Sequence, residues 1–142
     1  MDLRGHGQSG GSKEDFTNMY QDALAGEKYL REQGVKNFSY IGFGFGAHVA
    51  LKSAIEAKAS GLVIVSPDQD DKGINSAELI TQYKGRLLAS AAETNVDSNR
   101  MASKLFNLSQ VKDRQYAEYE SGGYGIGMVY DTDLGKIIKD WL

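Results

Sequence analysis

Tyr40-Ile41-Gly42-Phe43-Gly44-Phe45-Gly46-Ala47-His48-Val49 is the stretch whose reading decides the fold. An apolar run ends in a glycine at every second position, and a helical pattern begins directly afterwards. Glycine is costly to order, so this density marks a backbone that needs conformations other residues avoid. The stretch predicts a tight turn from a strand into a helix. In α/β proteins such a turn either lifts a nucleophile, at Gly-x-Ser-x-Gly, or lets a phosphate reach a helix N-terminus. The middle residue here is Gly44, which has no side chain.

Upstream of this turn, Asp2-Leu3-Arg4-Gly5-His6-Gly7-Gln8-Ser9-Gly10-Gly11 reads as a loop. Phe16, Met19, Tyr20, Ala23, Leu24 and Leu30 recur at helical spacing, which predicts a helix from about Glu14 to Gln33. Ser12 or Asp15 is its expected cap and Gly34 its expected stop. Phe38 to Gly42 is the strand that enters the turn, and Ala47 to Ala57 is the helix that leaves it.

Downstream, Gly61-Leu62-Val63-Ile64-Val65-Ser66 is a continuous apolar run, the pattern of a strand buried on both faces. A polar loop, Pro67 to Gly73, leads to a short helix over Ser76 to Tyr83. Arg86 to Ala91 is the next strand, and a helix follows from Asp97 or Ser98 to Phe106. Arg114 to Tyr119 alternates polar and apolar residues, as an edge strand does. Ser121 to Met128 is a second glycine-rich turn. Leu134 to Leu142 is a terminal helix with Leu134, Ile137, Ile138 and Trp141 as its apolar face. Strands and helices alternate, which predicts one α/β domain over 1–142 with about four parallel strands and flanking helices.

Composition narrows the function. A 41% hydrophobic and 25% charged chain of 142 residues is ordinary for a globular domain. A net charge of −3 offers no electrostatic case for nucleic acid or an anionic membrane. The sequence has no cysteine, which excludes disulfides, thiol catalysis and thiolate metal sites. No apolar run reaches membrane-spanning length, and a cytoplasmic location is the default expectation.

With these elements placed, the chain resembles the later part of an α/β-hydrolase, from the loop after that fold's fourth strand onward. Asp2-Leu3-Arg4-Gly5-His6-Gly7-Gln8-Ser9 resembles that loop, and Gly42-Phe43-Gly44-Phe45-Gly46 stands where the family has its nucleophile elbow. Leu87-Leu88-Ala89-Ser90-Ala91-Ala92-Glu93 resembles the seventh strand, with Glu93 where the triad acid belongs. Gly122-Gly123-Tyr124-Gly125 lies where the family carries its histidine.

The resemblance implies triad-equivalent positions at Gly44, Glu93 and Tyr124, and two of these depart from the chemistry. Acyl transfer needs a hydroxyl, a base beside it and an acid to orient the base. Gly44 supplies no hydroxyl, and a phenol with a reference pKa of about 10 is a poor base at neutral pH. The expected function is therefore a hydrolase-like protein without serine-hydrolase catalysis, binding a small apolar or ester-like molecule or a partner. Enzyme status stays open, the alternative being an esterase that uses substitute residues or is completed by a second chain.

In the family, four strands and half of the oxyanion hole precede the Asp2 loop. A sheet without them has an open edge at the Phe38 strand and one poorly covered face. That leads to the expectation of a homodimer across this edge, or of a fragment of a longer gene product.

Other readings are weaker. Gly42-x-Gly44-x-x-Ala47 fits the dinucleotide fingerprint, with Asp68 after the next strand as its carboxylate, so a dinucleotide-binding module is a further alternative. No cofactor is expected from the hydrolase-like reading. Asp68-x-Asp70-x-Lys72-Gly73 echoes a calcium loop, but Lys72 and Leu79 stand at ligand positions, so it reads as a solvated loop and no metal site is expected. His6 is expected to be a loop residue and His48 a packing residue. Ser66 is a hydroxyl near the presumed site with no base placed for it. Tyr116, Tyr119, Tyr124 and Tyr130 are candidate pocket or packing aromatics.

Overall fold

A computed structural model describes residues 2–142. Its centre is a four-stranded parallel sheet, β1 (Ser39–Phe43), β2 (Gly61–Val65), β3 (Arg86–Ala92) and β4 (Arg114–Tyr119), in spatial order β1-β2-β3-β4. The register pairs Ile41 with Val63, Val63 with Leu88, and Leu88 with Gln115. All five residues of β2 are buried, because it lies between two strands and under helices on both faces. That is why its sequence is an unbroken apolar run. β1 and β4 are the edges, and their mixed burial follows from that position.

The helices divide between the two faces. α2 (Gly46–Glu56), α3 (Ser76–Leu79) and α4 (Val96–Leu108) cover one face, packing Leu51, Ile80, Met101 and Leu105 on Leu62, Ile64 and Leu87. The other face carries α5 (Gly127–Asp131) and α6 (Leu134–Trp141), which pack Met128, Leu134, Ile138 and Trp141 on Val63, Val65 and Leu88. α6 reaches β2 and β3 but leaves β1 thinly covered, so Ile41 is 40% exposed.

α1 (Met19–Glu32) begins later than its periodicity predicts. A single 3-10 turn, Phe16–Asn18, precedes it, and Asp15 does not cap with its side chain. The carboxylate is occupied elsewhere: Arg4 donates to Asp15 at 2.5 Å and to Asp22 at 2.7 and 2.9 Å. Arg4 thereby pins the Asp2–Gly10 loop to α1 and holds both carboxyls below the usual aspartate range. At its other end α1 closes as expected. Gly34 has φ +89°, Val35 N–H donates to Leu30 and Gly34 N–H to Arg31, the paired bonds of a glycine-terminated helix.

α1 packs on α2 through Met19 at its N-terminal end. Its C-terminal half stands off the sheet edge, leaving Tyr29 62% and Leu30 43% exposed. No helix among the described residues is long and apolar enough to cross a membrane.

Candidate functional site

The elbow forms because β1 runs straight into α2. Gly44 takes φ +55° and donates its N–H to the Val65 carbonyl at 3.0 Å, so the turn is held by β2. A Cβ at Gly42 would meet the Gly46 carbonyl oxygen at 2.2 Å and Ala47 Cα at 2.5 Å. Glycine at 42 is what lets the helix cross so close to the strand. Phe45 then packs edge-on against Phe16, which seats the N-terminal loop over the turn.

Three chain segments converge above Gly44. The second glycine turn brings in Tyr124, whose hydroxyl lies 2.7 Å from where a Gly44 Cβ would be. The loop after β2 brings in Asp68, whose Oδ1 accepts a short hydrogen bond from that hydroxyl. Burial pushes the Asp68 carboxyl above the usual aspartate range, against a smaller downward pull from the Lys72 charge. Asn95 clamps the glycine turn by donating to the Gly122 and Gly123 carbonyls at 3.4 and 3.2 Å. Neither Asp68 as a partner of Tyr124 nor Asn95 as its clamp is visible in sequence spacing, because each bond joins distant loops.

Of the three residues expected at triad-equivalent positions, Gly44 and Tyr124 are brought together. Glu93 follows β3, exposed, with its backbone N–H bonded to the Tyr119 carbonyl at 2.8 Å. The carboxylate that meets Tyr124 belongs to Asp68.

His48 is fully buried in the first turn of α2. Nε2 lies 2.9 Å from the Asp68 carbonyl oxygen, which can only accept, so Nε2 carries the proton. Nδ1 then accepts from the Ser76 hydroxyl at 2.8 Å. Burial lowers the affinity of this ring for a second proton. A neutral, doubly bonded imidazole fixes the Asp68 loop to α2 and α3 and has no free nitrogen for chemistry. His6 is exposed in the N-terminal loop, its Nδ1 3.0 Å from the Arg4 carbonyl.

The loop after Asp68 satisfies itself. Lys72 pairs with Asp70 at 2.5 Å, and the Asp71 carboxylate accepts from the N–H groups of Gly73 and Ser76. No cluster of three or more metal-ligating side chains occurs among the described residues. Ser66, at the end of β2, is buried with φ +45°, and its hydroxyl has no hydrogen-bond partner. A hollow of about 540 Å³ lined by Ile55, Lys58, Tyr83 and Gly85 lies at the opposite end of the sheet.

No family model matches the chain, and no curated protein does. Solved structures do match. An alpha-beta serine hydrolase homologue from Coxiella burnetii superposes with a TM-score of 0.77 at 19% identity, over 99% of this chain and 66% of that one. A predicted CIB-like hydrolase from Thermoplasma acidophilum gives 0.74 at 15% identity, over 99% and 68%. A lipase-esterase related protein from Clostridium acetobutylicum gives 0.81 at 14% identity, over 99% and 82%. The chain has the α/β-hydrolase fold. It spans about two thirds of the length of the first two of these neighbours.

Proposed function

We propose that this chain is an α/β-hydrolase-fold protein without serine-hydrolase catalysis, acting by binding a small apolar or ester-like molecule or a protein partner. The observation that carries this reading is the occupancy of the elbow. Gly44 offers no nucleophile, and the Tyr124 hydroxyl takes up the space a nucleophile's Cβ would need. That hydroxyl donates its proton to Asp68, so it is engaged as a donor where the triad chemistry calls for an acceptor. His48 and His6, the two imidazoles of the chain, are both bonded away from Gly44.

Turnover of p-nitrophenyl acetate tests this. The expected rate equals that of heat-denatured protein. A rate above it that Glu93→Gln or His6→Ala abolishes would support the alternative, an esterase with substitute residues, which the hydrolase names of the structural neighbours favour. Gly44→Ser combined with Tyr124→His tests the assignment of positions: a gain of esterase turnover marks 44 and 124 as the nucleophile and base positions. A dinucleotide site would show as a thermal shift with NAD or FAD.

A further inference from the structure

We propose that Tyr124 accepts an acyl group from an activated ester or thioester, with Asp68 taking up its proton. This rests on the reading of the elbow as a site for an ester-like molecule, and goes beyond it by naming a covalent step. Gly44 offers no hydroxyl, but Tyr124 brings one to the same place. Its oxygen lies 2.7 Å from where a Gly44 Cβ would stand, in the space a nucleophilic side chain would fill. Its proton is directed at Asp68 Oδ1. A hydroxyl hydrogen-bonded to a basic side chain is the arrangement that activates a nucleophile. The phenol that makes a poor base is a stronger acid than an aliphatic hydroxyl, and so gives up its proton more readily on attack.

The surroundings suit the step. Burial makes Asp68 a stronger base than an exposed aspartate. α2 begins at Gly46, two residues beyond Gly44, and its positive end favours negative charge developing on a carbonyl oxygen. Tyr124 is 51% exposed, so a donor reaches its hydroxyl from solvent. The contact joins the loop after β2 to the turn after β4, and owes nothing to the open edge at β1.

In the step, the Tyr124 oxygen attacks the donor's carbonyl carbon and its proton passes to Asp68 Oδ1. The oxygen–carbon bond forms, and the bond to the leaving group breaks with its electron pair. Asp68 then releases the proton to the leaving group or to water. The product is an acyl-tyrosine, which is an aryl ester. That fixes the donor class, because the departing group must be at least as acidic as tyrosine, whose reference pKa is about 10. Thioesters qualify, with a thiol near about 8.5, as do esters of electron-poor phenols. Esters of ordinary alcohols do not, since the equilibrium lies on their side. Both imidazoles are bonded elsewhere, so neither activates water against the acyl-tyrosine. The chain therefore captures one acyl group and stops.

The test is p-nitrophenyl acetate, followed by absorbance and by intact-protein and peptide mass spectrometry. With no cysteine in the sequence, no thiol competes for the acetyl group. The expected result is one equivalent of p-nitrophenol released in a burst, with one acetyl group carried on Tyr124. Tyr130, 80% exposed, is the internal reference, and should be labelled about tenfold more slowly or less despite its greater exposure. Tyr124→Phe should lose the burst. Asp68→Asn keeps an acceptor oxygen but cannot take the proton, and should slow labelling of Tyr124 by about tenfold or more. Far-UV circular dichroism establishes that both variants fold, and the comparison of Tyr124 with Tyr130 needs no variant. Labelling of Tyr124 no faster than that of Tyr130 overturns the proposal, as does an Asp68→Asn variant labelled as fast as wild type. The non-catalytic reading is judged on the steady rate after the burst. Continued release that Tyr124→Phe abolishes overturns that reading and upholds Tyr124 as the acceptor. No burst and no steady rate overturns the covalent step and leaves that reading standing.

Discussion

The Tyr124 hydroxyl lies 2.7 Å from the point where a Cβ on Gly44 would stand, and Gly44 has φ +55°. Any other residue at 44 meets two penalties. One is intrinsic, because an L residue in the left-handed region costs of order 1–3 kcal/mol. The other is local, because the tyrosine must swing out and give up its bond to Asp68.

Gly44→Ser is therefore expected to lower the melting temperature, with a loss of about 2 kcal/mol. A double-mutant cycle separates the two penalties. With Tyr124→Ala in the background, Gly44→Ser should cost about 1 kcal/mol less, a coupling typical of residues in contact. Strictly additive losses in urea unfolding would mean that the hydroxyl does not occupy the elbow.

His48 gives the chain a pH dependence whose sign follows from its burial. Its folded pKa is depressed, while an unfolded histidine titrates near 6.5. The stability this group contributes is full above about pH 6.5 and is lost as pH falls from there through the folded value, because the unfolded chain takes up the proton first. His48→Gln should be less stable than wild type at pH 8 and show a flatter curve between about pH 7 and 5.5. Urea midpoints across that range decide, and parallel curves would mean that folding leaves the ring's affinity for a proton unchanged.

How much of this fold is legible in the sequence depends on whether the cause is local. β2 is readable because burial on both faces demands an apolar residue at every position from Leu62 to Val65. The elbow is readable because Gly42 and Gly44 answer a backbone need within one turn. The start of α1 is not, because Asp15 is consumed by Arg4, eleven residues away. The Tyr124–Asp68 contact spans 56 positions and exists only because two loops rise from the same end of the sheet. Glu93 stands out by its place at a strand end, yet strand position does not decide which carboxylate a loop brings over the elbow.

Ser66 carries two unfavourable features at once, a φ of +45° and a buried hydroxyl without a partner. The strain is worth of order 1–3 kcal/mol, and an unmade buried hydrogen bond about 1–3 kcal/mol. Against these stands the added freedom of glycine in the unfolded chain, about 0.4–1 kcal/mol. Ser66→Gly should stabilise by about 1 kcal/mol, and Ser66→Ala by less, since it removes the hydroxyl but keeps the strained backbone. Thermal unfolding of both variants measures the difference. A destabilised glycine variant would mean that the hydroxyl has a partner or a ligand in solution.

The three elbow glycines make different demands, and alanine at each separates them. At Gly42 a Cβ runs into the backbone of Gly46 and Ala47, so relief requires lifting α2 off β1. The cost should be at the upper end of overpacking, about 3 kcal/mol or more. At Gly44 the obstruction is the tip of Tyr124 together with a positive φ, for a loss of about 2 kcal/mol. At Gly46 nothing lies within 4 Å of the point where a Cβ would stand, and its place in the first turn of α2 favours alanine. That variant should equal or slightly exceed wild type, by up to about 1 kcal/mol. The order Gly46→Ala, Gly44→Ala, Gly42→Ala in falling melting temperature is what a packing origin for this motif requires. A phosphate-binding origin predicts another pattern, in which alanine at 44 weakens nucleotide binding more than it weakens the fold. Denaturation of the three variants with and without NAD distinguishes the two.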